Sequence, residues 1–150
     1  FLAEPIGRGY DCGLRVAVEI CKLMDRNPEA RMSDLRRAMP PTFSTPTMSP
    51  HCSDGEKYEV LERIVARLQE KAQGGERLAG RAIDEIITVN GARVQLEGGG
   101  WGLVRASSNT PNLVVVCESP NSREELQAIF SDLDAVIRTE PSVGAYDQTL

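Results

Sequence analysis

The chain has 150 residues, enough for one domain of ordinary size plus a fragment, and its 41% apolar and 26% charged residues place it among soluble globular chains. The net charge of −5, from 17 basic and 22 acidic residues, disfavours broad binding to nucleic acid or to an anionic membrane, since a polyanion's field repels such a chain. No apolar run approaches the roughly 18 residues that a spanning helix requires, and no secretory signal precedes the first pattern.

Residues 1–9 mix Gly, Pro and charge and read as loop. The chain opens at Phe1 inside what looks like ordinary folded sequence, so Phe1 reads as the cut edge of a longer protein. Asp11 can cap a helix running to about Asp25, with Leu14, Ala17, Val18, Cys21 and Met24 at helical spacing. Asn27-Pro28 ends it, and Ser33 caps a short second helix that stops at Pro40-Pro41.

Residues 41–53, PTFSTPTMSPHCS, carry Pro41, Pro46 and Pro50 and little charge. Proline cannot donate to a ladder, so this stretch is either an extended linker with a hinge at residues 40–50 or an edge strand. Ser53-Asp54-Gly55-Glu56 has capping-box spacing and opens a helix to about Gln73, with Val60, Leu61, Ile64, Val65 and Leu68 on one stripe. Gly74-Gly75 terminates it.

Ile86–Val89, Asn90-Gly91 and Ala92–Leu96 read as a hairpin with a two-residue type I′ turn. That register pairs Val89 with Ala92 and Ile87 with Val94, and puts Ile87, Val89, Ala92, Val94 and Leu96 on one face. Gly98–Gly100 turns into a strand over Trp101–Ala106, and Leu113–Glu118 is a further strand. Ser122 and Glu125 form a second capping box, and Leu126, Ile129, Phe130, Leu133, Val136 and Ile137 form the stripe of a last helix that Pro141 ends. From residue 43 the order is strand, helix, four strands, helix. The class is α+β: an antiparallel sheet of about four to five strands with two helices on one face, about 105 residues long and able to fold alone.

The chemistry concentrates between the last two strands. Arg105 ends a strand, so a rigid element aims its fork of donors, which suits phosphate or carboxylate. Ser107, Ser108 and Thr110 offer hydroxyls, Asn109 offers an amide, and successive N–H groups in such a turn can form an anion nest. Pro111 has no N–H and closes the donor array. The same residues also suit a solvated turn with an arginine in a surface pair, and residue chemistry alone leaves both open.

The four cysteines show no metal-type spacing, and His51 is the lone histidine, so no zinc site is expected. Cys21 and Cys117 lie in apolar patterns and read as buried free thiols of a reducing, cytoplasmic setting. His51-Cys52 offers a nucleophile beside a base, but neighbours on an extended segment point to opposite sides and make a poor dyad. A non-catalytic α+β binding or interaction module is the alternative reading. The acidic charge and the one aromatic on the strands, Trp101, argue against a nucleic-acid version of it.

GWGLVRASSNTP, Gly100–Pro111, resembles the phosphate-binding loop of the α-D-phosphohexomutases, the phosphomannomutase/phosphoglucomutase family, whose loops read R-A-S-N-T-x-P or R-P-S-G-T-E-P just before a strand. ITVNGARVQLEGGGWGLVRAS resembles the segment leading into that loop, and Gly9–Gly13 resembles a G-x-D-D-G segment of the preceding domain. The family's last domain has the β-α-β-β-β-β-α order read above. The resemblance implies a C-terminal phosphohexomutase domain, TATA-binding-protein-like, over residues 54–150. It makes residues 1–40 the tail of the third domain and 41–53 the connection.

It further implies a phosphotransferase of the isomerase class, interconverting hexose 1- and 6-phosphates through a phosphoserine and a bisphosphosugar intermediate. The serine loop and the magnesium ligands would lie in earlier domains, so the chain alone is expected to be inactive. The implied partners are a hexose phosphate and the remaining domains. By matched position Arg105, Ser107, Ser108, Asn109 and Thr110 would grip the phosphate that is not transferred. The family's Asn-Thr pair falls one place later here, as Asn109-Thr110, so which of Ser108, Asn109 and Thr110 touch phosphate stays open. Cys12 stands where the G-x-D-D-G segment has an acid, and Asp11 carries no role beyond capping. The sugar is not legible.

Overall fold

The computed structural model describes residues 12–149 and divides into two units, Phe1–Pro41 and Thr42–Leu150. The proposed cap at Asp11 and most of the Gly9–Gly13 segment lie outside the described residues.

In the first unit α1 spans Gly13–Asp25 and α2 spans Met32–Arg37. Cys12 stands at the N-cap of α1 without a side-chain bond. Arg31, not Ser33, is the N-cap of α2, and its N–H donates to the Asp34 carboxylate at 2.9 Å. Neither helix has a buried residue, and Cys21 is exposed rather than buried. Helical spacing gathers the apolar residues of α1 on one stripe, but spacing alone supplies nothing to cover them: Leu14 is 82% exposed.

The second unit holds β1 (Phe43–Ser44), α3 (Lys57–Gln73), β2 (Arg77–Leu78), β3 (Arg81–Ile87), β4 (Ala92–Leu96), β5 (Trp101–Ala106), β6 (Leu113–Ser119) and α4 (Arg123–Ile137). The sheet is antiparallel throughout, in the order β1-β6-β5-β4-β3-β2. Six strands are seen among the described residues rather than four to five.

Both α3 and α4 pack on one face. That face carries Ala92, Val94 and Leu96 of β4, Val104 and Ala106 of β5, and Leu113, Val115 and Cys117 of β6. The helices contribute Val60, Leu61, Ile64 and Leu68, then Leu126, Ile129, Leu133, Val136 and Ile137. Each large aliphatic so buried contributes about 1.5–3 kcal/mol. Gly102 lets α4 approach: a Cβ there would lie 3.0 Å from Leu133 Cδ2. The Ser122 hydroxyl accepts from Glu125 N at 3.1 Å and caps α4, while the other start differs. Ser53 Oγ donates to the Glu56 carboxylate, and a turn intervenes before α3 begins at Lys57.

Residues 43–52 lie along β6 as the outer strand position. Phe43 pairs with Ser119, and bridges join Met48 to Val115 and His51 to Asn112. A hinge at residues 43–50 would break these bonds. The C-terminal stretch covers the outer edge in turn: His51 N donates to Ala145 O, Gly144 N to His51 O, and Ser49 N to the Asp147 carboxylate. An edge laced in this way offers no template for another chain.

The β3–β4 register differs from the expected one. Ile87 pairs with Arg93 and Ile86 with Val94, and the register shifts between Ile83 and Glu85. Ile83 and Ile86 pack on the core, while Val89 is 93% exposed. Gly91 has φ +88°, but Asn90 is not in the left-handed region, so the turn is wider than type I′. The two-residue turn with both φ positive lies one hairpin earlier, at Ala79 (+53°) and Gly80 (+72°) between β2 and β3. There the Asp132 carboxylate of α4 accepts the Ala79 N–H and holds alanine where glycine or asparagine is usual.

Candidate functional site

β5 alternates cleanly. Gly102, Val104 and Ala106 face the helices, and Trp101, Leu103 and Arg105 face the other way. Arg105 therefore leaves the sheet on its helix-free side. It is half-buried, and its Nη1 donates to its neighbour's carbonyl, Ala106 O, at 3.1 Å. No ion pair among the described residues engages it. Gly91 of the preceding turn lies against this strand end: a Cβ there would come within 2.1 Å of Val104 O and 2.8 Å of Arg105 Cα.

After Ala106 the chain folds back tightly. Ser107 N donates to Asn112 O at 3.0 Å, and Asn112 N donates to Thr110 O at 2.8 Å. Ser107 Oγ is the hub. It accepts from Thr110 Oγ1 at 2.8 Å, and more loosely from Asn109 N at 3.4 Å and Thr110 N at 3.3 Å. Ser108, Asn109 and Thr110 are exposed. The far side of the loop is tied to the outer strand, with Cys52 N donating to Pro111 O at 2.9 Å. The turn thus brings Arg105, Ser107, Ser108, Asn109 and Thr110 together, with Ser107 at its hub, the Thr110 hydroxyl turned to it, and Ser108 and Asn109 exposed beside them.

Sequence reasoning missed Lys57. Its side chain is 4% exposed, and its Nζ donates to Ser107 O (2.6 Å), Thr110 O (3.1 Å) and Asp54 Oδ1 (2.6 Å). The Asp54–Lys57 spacing of three signals a local pair on a helix start, but the reach to a loop 50 residues on has no sequence signal. A second unread contact is Arg93 stacked over Trp101, 4.4 Å from the ring centroid.

Cys52 is fully buried, and burial pushes its thiol upward, whereas His51 is exposed. The pair cannot act as nucleophile and base. Cys117 is pushed up by burial to about 12, an inert core thiol. Among the described residues no cluster of three His, Cys, Asp or Glu side chains is placed to hold a metal ion, and no helix is long and apolar enough to cross a membrane.

An antiparallel sheet with two helices on one face, and an arginine-led turn of small donors at a strand end, define a two-layer α+β domain with an anion-suited loop. The profile described as phosphoglucomutase/phosphomannomutase, C-terminal domain, matches residues 52–136, and the chain belongs to that family. Among curated relatives, a phosphomannomutase/phosphoglucomutase of Pseudomonas syringae pv. tomato is 31% identical over 136 residues, covering 84% of this chain and 26% of the relative. A phosphopentomutase of Thermococcus kodakarensis is 30% identical over 122 residues, covering 79% and 25%. The crystal structure of a phosphoglucomutase/phosphomannomutase family protein from Burkholderia thailandensis shares the fold, with a TM-score of 0.62 at 24% identity over 89% of this chain and 25% of that one. The chain spans about a quarter of the length of the relatives it matches.

Proposed function

We propose that this chain is the C-terminal portion of a phosphosugar mutase and grips, through residues 105–110, the phosphate of a hexose phosphate that is not being transferred. The observation that carries this is Arg105, aimed by the end of β5 and bonded to a carbonyl rather than a carboxylate, beside the exposed polar residues Ser108, Asn109 and Thr110. Charge-assisted hydrogen bonds of this kind contribute about 1.5–3 kcal/mol each. In this reading residues 1–40 belong to a preceding domain, which accounts for the uncovered apolar stripe of α1. The phosphoserine and the magnesium ligands belong to earlier parts of the protein. The chain alone therefore binds but does not turn over substrate. A reducing, cytoplasmic setting suits its free cysteines.

The test is a titration of the ¹⁵N-labelled chain with glucose 1-phosphate and mannose 1-phosphate. Weak, saturable shifts should appear at the amides of residues 105–110, and Arg105→Ala should weaken binding at least tenfold. Shifts confined to other residues would retire the proposal and leave an interaction module in its place.

A further inference from the structure

The geometry points to Lys57 as the positioning residue of the 105–110 loop, an ammonium beneath the turn that holds one backbone donor, the Ser108 N–H, toward the anion. The inference rests on the phosphate-grip reading and names a group that does not itself touch the ligand.

An ammonium has three N–H donors, and each has an acceptor here: Ser107 O, Thr110 O and the Asp54 carboxylate. The lysine is almost fully enclosed while Asp54 is 70% exposed, so the charge is balanced chiefly from the solvent side. Burying a lysine is costly unless its donors are met, and a surface lysine would serve equally well if only solubility were at stake. What the buried one does is fix two carbonyls.

In a planar trans peptide the C=O of one residue and the N–H of the next point in opposite directions. Lys57 draws Ser107 O inward, so the Ser108 N–H points outward, away from the lysine. Among the described residues that N–H has no partner, whereas the N–H groups of Ser107, Asn109, Thr110 and Asn112 all donate within the loop. Drawing in Thr110 O leaves no outward N–H on its far side, because Pro111 has none. The lysine thus selects one backbone donor, Ser108 N–H, on the same turn as the Arg105 fork. It reaches the loop from the helix face, whereas Arg105 leaves the sheet on the other, so the turn has a fixed cation on each side. The two groups have separable roles: Arg105 meets the ligand, and Lys57 shapes what meets it.

The glucose 1-phosphate titration of the chain, run on Lys57→Met and Lys57→Arg beside wild type and Arg105→Ala, tests this. Lys57→Met should weaken binding at least tenfold and abolish the ligand-induced shift of the Ser108 amide, with core amides such as Val94 and Ile129 unchanged. Lys57→Arg, which keeps charge and donors, should stay within about threefold of wild type. Should Lys57→Met not fold, Lys57→Gln takes its place and is judged by the same criteria. Wild-type binding that survives Lys57→Met with the Ser108 shift intact overturns the positioning role alone, as does equal weakening by Met and Arg. No shift at residues 105–110 in the wild type overturns the phosphate grip, and the inference with it.

Discussion

At the residue scale, Gly91 illustrates how the β3–β4 turn bears on the strand end that carries Arg105. Its φ of +88° is open to glycine, and its Cα lies so close to β5 that any side chain would strike Val104 O and Arg105 Cα. The β3–β4 turn is thereby pressed against the strand end that aims Arg105. Gly91→Ala combines a left-handed alanine with a backbone collision that no rotamer relieves, and strain of this kind costs about 1–3 kcal/mol. The expected outcome is a thermal midpoint lowered by several degrees, with amide shifts propagating to Arg105 and Ala106. An unchanged midpoint would mean that the turn stands clear of β5. Gly75, also at positive φ, has open space around it, so Gly75→Ala serves as the control for backbone strain without collision.

At the scale of elements, α3 and α4 are tied by Glu140, just past the end of α4. It is buried and receives Arg63 at 2.8 Å, and Arg67 as well, both from α3. The Arg63 hydrogen bond, ahead of burial that acts the other way, holds this carboxyl below the ordinary 4.5. A depressed carboxylate contributes stability in full above its unfolded value and loses it as pH falls through the lowered folded value. Wild type should therefore exceed Glu140→Gln in thermal midpoint at pH 7, and the gap should begin to narrow as pH falls past the ordinary 4.5 and close only below the lowered folded value. Parallel melting curves from pH 7 to 3 would show that the pair does not couple the helices. These helices were legible in the sequence because a 3.6-residue stripe is a local signal, and their stripes are the ones buried. The β3–β4 register was not. Asn90-Gly91 fits a two-residue turn and a wider one equally well, and the two differ by one residue, enough to exchange the strand's faces. The site divides the same way. Arg105 and the small donors are contiguous and can be read in place, whereas Lys57 joins them only after α3 has packed. β2 was missed because its turn depends on Asp132, 53 residues away from Ala79.

At the scale of the whole molecule, the two units make different demands. The core cluster draws on residues from Phe43 to Tyr146, all in the second unit, with α3 and α4 closing one face of the sheet. In the first unit α1 exposes Leu14 and Val18 on one side and Val16, Ile20 and Leu23 on the other, apolar surface that an element of a larger domain would bury. Among the described residues the second unit's core cluster takes in none before Phe43, its outer strand begins there, and its edge is covered by the chain's own C-terminal stretch. A chain of residues 42–150 should keep the core amide shifts of the full chain and a thermal midpoint within a few degrees of it. Its glucose 1-phosphate binding should be unchanged, because every group assigned to the loop lies after Thr42. Removing α1 should also lower the binding of an apolar dye such as ANS, in proportion to the exposed apolar surface taken away. If residues 42–150 lose dispersed amide shifts on their own, the first unit contributes to folding in a way that the core cluster does not account for, and its assignment to a neighbouring domain fails.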